Sequence, residues 1–307
     1  MVHLFRPTFF RPTFFRPSLR HRVVVEVVRR TRRGGPIGDP ATFRSRFLAA
    51  NERFPRRIPA DFTESAHTTE GLRVLEHVPG GVRPSRTLLY LHGGGYTKPA
   101  APQQFAFARR IAADLGMRVL FPLYPLAPEH TWRDSRDALV ALVSAAAVDA
   151  PDGVVLAGDS AGGGYALSVA QGVRDTGGTP PSHLVLVSPW VDLTASAPGQ
   201  PEVALTDPWL TLSRVNIYAT WWAGSQEDRA RTEPSPGLGD LTDLPPTLRF
   251  CGTRDLLYPE NALLSEQARE AGWDDTFVTG PGLIHVYPLL PIPEARVAHR
   301  RIVEFLS

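Results

Sequence analysis

The run Val154-Val155-Leu156-Ala157-Gly158-Asp159-Ser160-Ala161-Gly162 decides the reading of this chain. Its four leading apolar residues read as a buried strand. The Gly-x-Ser-x-Gly pentapeptide that follows has the form of a nucleophile elbow, in which a strand enters a helix through a very tight bend. Such a bend strains its central residue and leaves no room for side chains on either flank. Gly158 and Gly162 fill those flanks. The bend lifts the Ser160 hydroxyl above the sheet edge, and the N–H of Ala161, opening the next helix, is left to donate to an oxyanion. Alone, the pattern also fits an ordinary strand-turn-helix junction in a chain with 26 glycines.

A second motif lies upstream. Leu88-Leu89-Tyr90-Leu91 reads as another buried strand and runs into His92-Gly93-Gly94-Gly95-Tyr96, where consecutive glycines let backbone amides approach a ligand without an obstructing Cβ. The interval from His92 to Ser160 has room for a helix, a further strand and the next connection, the spacing of two non-adjacent strands in a parallel sheet. Gly93, Gly94 and Ala161 are therefore the expected oxyanion-hole donors.

These two motifs resemble those of the hormone-sensitive-lipase-like branch of the α/β-hydrolases, the bacterial carboxylesterases with His-Gly-Gly-Gly and Gly-Asp-Ser-Ala-Gly. Tyr124-Pro125-Leu126-Ala127-Pro128-Glu129-His130 is similar to that family's Tyr-Arg-Leu-Ala-Pro-Glu-His segment, with Pro125 in place of the arginine. Ser188-Pro189-Trp190-Val191-Asp192 is similar to its Ser-Pro-x-x-Asp segment. The resemblance covers about residues 60 to 307. It implies an α/β-hydrolase fold, a mostly parallel eight-stranded sheet flanked by helices with a helical cap, and a serine hydrolase that needs no cofactor.

In this fold the acid and the base follow the serine in the order Ser, Asp or Glu, His. Only His183, His285 and His299 come after Ser160. His183 opens an apolar strand, and His299 sits in a terminal amphipathic helix where it is expected to face solvent. His285, in Gly282-Leu283-Ile284-His285-Val286-Tyr287, lies after the last expected strand, and the resemblance implies a general base there. For the acid, Leu248-Arg249-Phe250-Cys251 leads into Gly252-Thr253-Arg254-Asp255-Leu256-Leu257, which is similar to the family's Gly-x-x-Asp-x-Leu. A carboxylate at a strand's C-terminal end can reach the second imidazole nitrogen, fix the tautomer and stabilise the imidazolium. Asp255 is the favoured acid and Asp192 the rival. Asp159 would oppose serine ionisation, so its expected role is to anchor loops by hydrogen bonds. Glu129 and His130 precede Ser160 and are expected to support the oxyanion loop.

Composition agrees with a soluble enzyme. The chain has 307 residues, 43% hydrophobic and 21% charged, long enough for one large α/β core with a small appended module. A formal charge of +2 gives no reason to expect a nucleic-acid partner, and the single cysteine, Cys251, rules out an internal disulfide and reads as a buried packing residue. No phosphate-binding Gly-rich loop and no metal-ligand spacing is present, so neither cofactor nor metal is expected.

Residues 1–17 contain a repeat, Phe5-Arg6-Pro7-Thr8-Phe9-Phe10-Arg11-Pro12-Thr13-Phe14-Phe15-Arg16-Pro17, without the apolar core of a signal peptide. They read as a flexible or disordered extension, and a cytoplasmic protein without a membrane partner is expected. Residues 18–60 are expected to form cap helices, over 19–33 with Val23, Val24, Val27 and Val28 on one side, and over 41–51. The domain at 61–307 is expected to carry a cap insertion at about 195–224, whose Trp209, Leu210, Val215, Tyr218, Trp221 and Trp222 face a substrate pocket or a helix-helix core. Strands are expected near 62–66, 72–78, 88–91, 119–122, 154–157, 184–187, 248–251 and 276–278. The expected substrate is a small ester of short to medium acyl chain. Lactones, amides and acetylated sugars or natural products are alternatives on the same triad, and a non-catalytic ligand-binding role is another. A homodimer is left open.

Overall fold

Parallel strands covered on both faces are continuous apolar runs, and the central strands of this chain are of that kind. In the computed structural model, which describes residues 16–32 and 60–307, β3 (Thr87–Leu91), β5 (Val154–Asp159) and β7 (Thr247–Gly252) are buried at every position. With β1 (Phe62–Thr69), β2 (Leu72–Pro79), β4 (Arg118–Pro122), β6 (His183–Val187) and β8 (Asp275–Gly280) they form one eight-stranded sheet in the order β1-β2-β4-β3-β5-β6-β7-β8. β1 and β2 form an antiparallel hairpin, β2 meets β4 antiparallel, and the remaining pairs are parallel. The hairpin turns at Glu70 and Gly71, both at positive φ, as a two-residue loop between right-twisted strands requires.

Successive residues of a strand point to opposite faces, and the sheet accordingly separates two cores. Leu89, Leu91, Leu156, Leu184 and Leu186 enter the layer that holds α3 (Arg136–Val148), α4 (Ala161–Asp175) and α7 (Tyr258–Ala271). Leu88, Tyr90, Val155, Ala157, Val185 and Val187 enter the layer of α2 (Pro102–Leu115) and α8 (Pro293–Leu306). Between β6 and β7 the chain forms two further helices, α5 (Gln200–Thr206) and α6 (Leu212–Ala223).

The N-terminal helix α1 (Leu19–Arg32) ends one residue before the expected limit and buries a different face. Val25 and Val28 are buried, Val24 is half-buried, and Val23 and Val27 are exposed. His21, Val25 and Val28 follow the i, i+4, i+7 spacing of one helical face, whereas Val23 and Val27 lie on another. The buried valines pack on Ile284 with Trp209 and Leu290 beside them. Ser18 fixes the helix start, its N–H and hydroxyl donating to the two carboxylate oxygens of the buried Glu294 at 2.6 and 3.0 Å. The expected helix over 41–51 and most of the 1–17 extension lie outside the described residues. His299 is not solvent-facing as its helix position suggested. It is buried, and its Nε2 lies 2.6 Å from Asp114 Oδ2 on α2, a partner that makes burial of the imidazole tolerable.

Candidate active site

The chain runs from β3 to β4 on one side and returns to β5 on the other, so the carboxyl ends of β3 and β5 flank a topological switch point, where open α/β sheets bind ligands. Both glycine motifs lie there. Ser160 takes φ 53° and ψ −123° between β5 and α4, and its N–H donates to Val187 O at 2.8 Å. A Cβ on Gly158 would overlap Gly162 O, and one on Gly162 would overlap Leu91 O, so the elbow excludes any side chain at either place.

The fold brings Ser160, His285 and Asp255 into one buried chain of contacts. Ser160 Oγ lies 3.0 Å from His285 Nε2, and His285 Nδ1 lies 2.9 Å from Asp255 Oδ2. An ionised carboxylate only accepts, so the proton sits on Nδ1 and leaves Nε2 to accept from the serine hydroxyl. Asp255, fully buried after β7, also accepts from Leu257 N–H at 3.0 Å and from the Cys251 thiol at 3.5 Å. Burial, then the charge of Asp255, holds the Cys251 thiol well above its ordinary pKa, which keeps it a neutral donor and no nucleophile. For His285, burial opposes the charged form, but the charge and hydrogen bond of Asp255, with Asp207 and Asp159 behind, outweigh it and raise the imidazole's pKa. Asp192 is not part of this chain. Its oxygens take Thr194 N–H at 2.8 Å, Thr194 Oγ1 at 2.6 Å and Ser196 Oγ at 3.1 Å, closing a turn of the β6–α5 connection.

The oxyanion loop departs from expectation at one residue. Gly93 N–H donates to Asp159 Oδ1 at 2.9 Å and is not left over for a ligand. Asp159 also accepts from Tyr90 Oη at 2.7 Å and from Gln104 Nε2 at 3.0 and 2.9 Å, the anchoring role expected of it. A Cβ on Gly93 would overlap that carboxylate. Among the described residues no acceptor takes the amides of Gly94, Gly95 or Ala161, and these glycines line a cavity with Ser160. His92 stacks on Tyr124 at 4.5 Å, faces Gly93 O through Nδ1 at 2.9 Å, and its carbonyl accepts from Tyr124 Oη at 2.6 Å. Ala127 N–H donates to Tyr96 O at 2.8 Å, so the 124–130 segment braces the loop through its backbone and Tyr124. His130 itself is exposed.

The cavity over Ser160 has a volume of about 310 Å³ and is lined by Trp209, Leu210, Val215, Tyr218 and Leu289 among others. The aromatic residues of the 195–224 stretch divide between the two roles open to them. Trp209 stands edge-on to His285 at 5.6 Å, whereas Trp222 is fully buried and stacks on Tyr96 at 4.3 Å. Sequence reasoning passed over Asp207, a buried carboxylate that accepts N–H bonds from Trp209, Leu210 and Leu256. No pattern marks it, since its partners are backbone groups.

A family model described as the alpha/beta hydrolase fold matches residues 88–289. Among solved structures, an esterase from the bacterial hormone-sensitive lipase family superposes with a TM-score of 0.80 at 29% identity, covering 94% of this chain and 97% of that one. The chain is a hormone-sensitive-lipase-like esterase of the α/β-hydrolase family. This esterase is 32% identical over 253 residues to an acetyl-hydrolase of Streptomyces hygroscopicus, covering 77% of the chain and 84% of the relative. It is also 26% identical over 236 residues to an esterase of Acinetobacter venetianus, at 76% and 78% coverage. Among the described residues of this esterase no helix is long and apolar enough to cross a membrane, and no group of three or more His, Cys, Asp or Glu could hold a metal ion.

Proposed function

We propose that this esterase hydrolyses small esters of short to medium acyl chain through an acyl-enzyme on Ser160. The observation that carries the reading is the continuous chain Ser160–His285–Asp255 beneath a cavity that also presents unspent backbone amides. His285 Nε2 takes the Ser160 proton as Oγ attacks the ester carbonyl, and Asp255 stabilises the imidazolium that forms. The amides of Gly94, Gly95 and Ala161 hold the oxyanion, with Gly93 replaced by Gly95 because the Gly93 amide is spent on Asp159. His285 then returns its proton to the departing alcohol, which leaves Ser160 acylated. Water, deprotonated by the same nitrogen, attacks the acyl carbon and frees the acid and the serine. The segment 195–224 and α1 act as the cap that closes this cavity. A volume of about 310 Å³ stands at the lower end of the ~300–1,000 Å³ of small-molecule sites, which suits a small ester. The name of the acetyl-hydrolase relative points the same way.

The test is fluorophosphonate labelling of the wild type and Ser160→Ala, with turnover of p-nitrophenyl esters from acetyl to decanoyl. Labelling and turnover are expected only with Ser160 present and best with the shorter acyl groups. Equal labelling of a folded Ser160→Ala protein, or none of the wild type, would sink the mechanism, and a decanoyl optimum would sink the size assignment.

A further inference from the structure

Asp207 is a buried carboxylate that no step above uses. It lies between α5 and α6, 1% exposed, with both oxygens engaged. Oδ1 accepts from Trp209 N–H at 2.7 Å and Leu210 N–H at 3.0 Å, and Oδ2 accepts from Leu256 N–H at 2.7 Å. These donors belong to two separate stretches of chain. Trp209 and Leu210 line the cavity, and the Trp209 indole stands edge-on to His285. Leu256 directly follows Asp255. One carboxylate thus ties the wall over the imidazole to the loop that carries the acid, and Arg254 adds a second tie by donating to Thr206 O at 3.2 Å.

We propose that Asp207 is a positioning residue for the hydrolysis, holding Trp209 against His285 and the Asp255 loop in register, and that only its ionised form does so. The proposal rests on the Ser160–His285–Asp255 reading. It follows from counting donors. Three N–H groups converge on two oxygens, so both must accept; an amide would turn a hydrogen toward one of the donors, and a protonated carboxyl, whose hydroxyl oxygen is the weaker acceptor, would loosen at least one of the three bonds. The charged groups around it are Asp255 from the β7–α7 connection, His285 from the loop after β8, and Arg254 beside Thr206. Burial, and then the like charge of Asp255, pushes Asp207 up to about 6 even against its three backbone bonds. A carboxyl raised in the folded state contributes stability that is present below its unfolded pKa and lost as pH rises through about 6. Acidification across that window therefore costs geometry at the site without unfolding the protein on this group's account.

The test is a set of pH profiles of kcat and kcat/KM on p-nitrophenyl acetate for wild type and Asp207→Asn, with circular dichroism at each pH. In the wild type, kcat/KM should fall with a two-proton slope below about pH 6, one proton for His285 and one for Asp207, while the fold persists. In Asp207→Asn, kcat should fall 10- to 100-fold, the scale of a misplacement near 1 Å. The remaining limb should have one-proton slope and lie at lower pH, because the imidazolium has lost a stabilising neighbour. An Asp207→Asn profile of wild-type shape, with activity lost only in proportion to unfolded protein, would reduce Asp207 to a structural residue and overturn the proposal. Should Asp207→Asn not fold, a one-proton slope in the wild type overturns it by itself. An active wild type labelled at Ser160 with either negative result refutes this inference alone, whereas Ser160-independent turnover removes the mechanism beneath it.

Discussion

Ser160 is held at φ 53°, in backbone geometry that costs about 1–3 kcal/mol and persists only where surrounding structure enforces it. Here the enforcement is the backbone contact that Gly158 and Gly162 permit, and the return is a hydroxyl 3.0 Å from a buried imidazole. The state of that imidazole sets the pH response. His285 must be neutral to receive a proton, and because its pKa is raised, kcat/KM should reach half its plateau at a pH above imidazole's ordinary 6.5. Stability moves the other way, since a raised histidine contributes stability that is lost as pH rises through the folded value, so the acid limb reports protonation and not unfolding. Asp255→Asn should lower the limb and cut kcat by about 10⁴ through the wrong tautomer, and a limb unmoved in that variant would count against the pairing. Ser160, Asp255 and His285 were readable because each sits in a short local pattern at a strand's end. The free amides of the glycine loop were not, since three identical residues carry no register. Which amide is spent depends on the Asp159 carboxylate, 66 residues along the chain from Gly93.

All eight strands lie where they were expected, the inner ones as apolar runs with turn residues beside them and β1 as a largely polar, exposed edge strand, and their limits moved outward by only one to three residues where backbone pairing continues. Gly158 and Asp159, for example, pair with Leu91 and Val187 although neither residue favours a strand. The helix faces were less legible. His299 falls between Ala298 and Ile302 on the buried face, and only the position of Asp114 on another helix makes that tolerable. Arg249 was equally hidden, read as part of an apolar strand. It is fully buried in β7, bonded to Asp275 at 3.1 and 2.6 Å, to Asn261 O at 2.6 Å and to Ser265 Oγ at 2.6 Å, and it lies 4.3 Å over the Phe277 ring. It joins β7, β8 and α7; Asp255 lies in the β7–α7 loop and His285 in the loop that follows β8. Arg249→Ala strands a buried carboxylate and should cost about 3–5 kcal/mol in urea unfolding, whereas Arg249→Met with Asp275→Leu should recover most of it. A single-variant loss under about 1 kcal/mol would mean the network carries no stability.

At the scale of the whole molecule, sheet order and appended helices meet at one place. The switch between β3 and β5 opens a crevice, and the residues that close it come from far along the sequence, Thr31 from α1 and Trp209, Leu210, Val215 and Tyr218 from the β6–β7 connection. The sheet can therefore fix the chemistry while the closing segments fix the size of what reacts, and that division can be tested without touching Ser160. Leu210 is half-buried at the edge of one core and lines the cavity from a stretch between helices, so a larger side chain there can extend into the void. Filling part of about 310 Å³ should leave an acetyl group room and deny it to a longer chain. One methylene in such a pocket is worth about 1–3 kcal/mol of discrimination. Leu210→Trp should therefore lower kcat/KM for p-nitrophenyl octanoate about 10- to 100-fold relative to the acetate, with the acetate rate itself kept within about threefold and the acid limb unchanged. An equal loss on both esters would instead place Leu210 in the support of His285, and an unchanged ratio would mean the acyl chain leaves by another path.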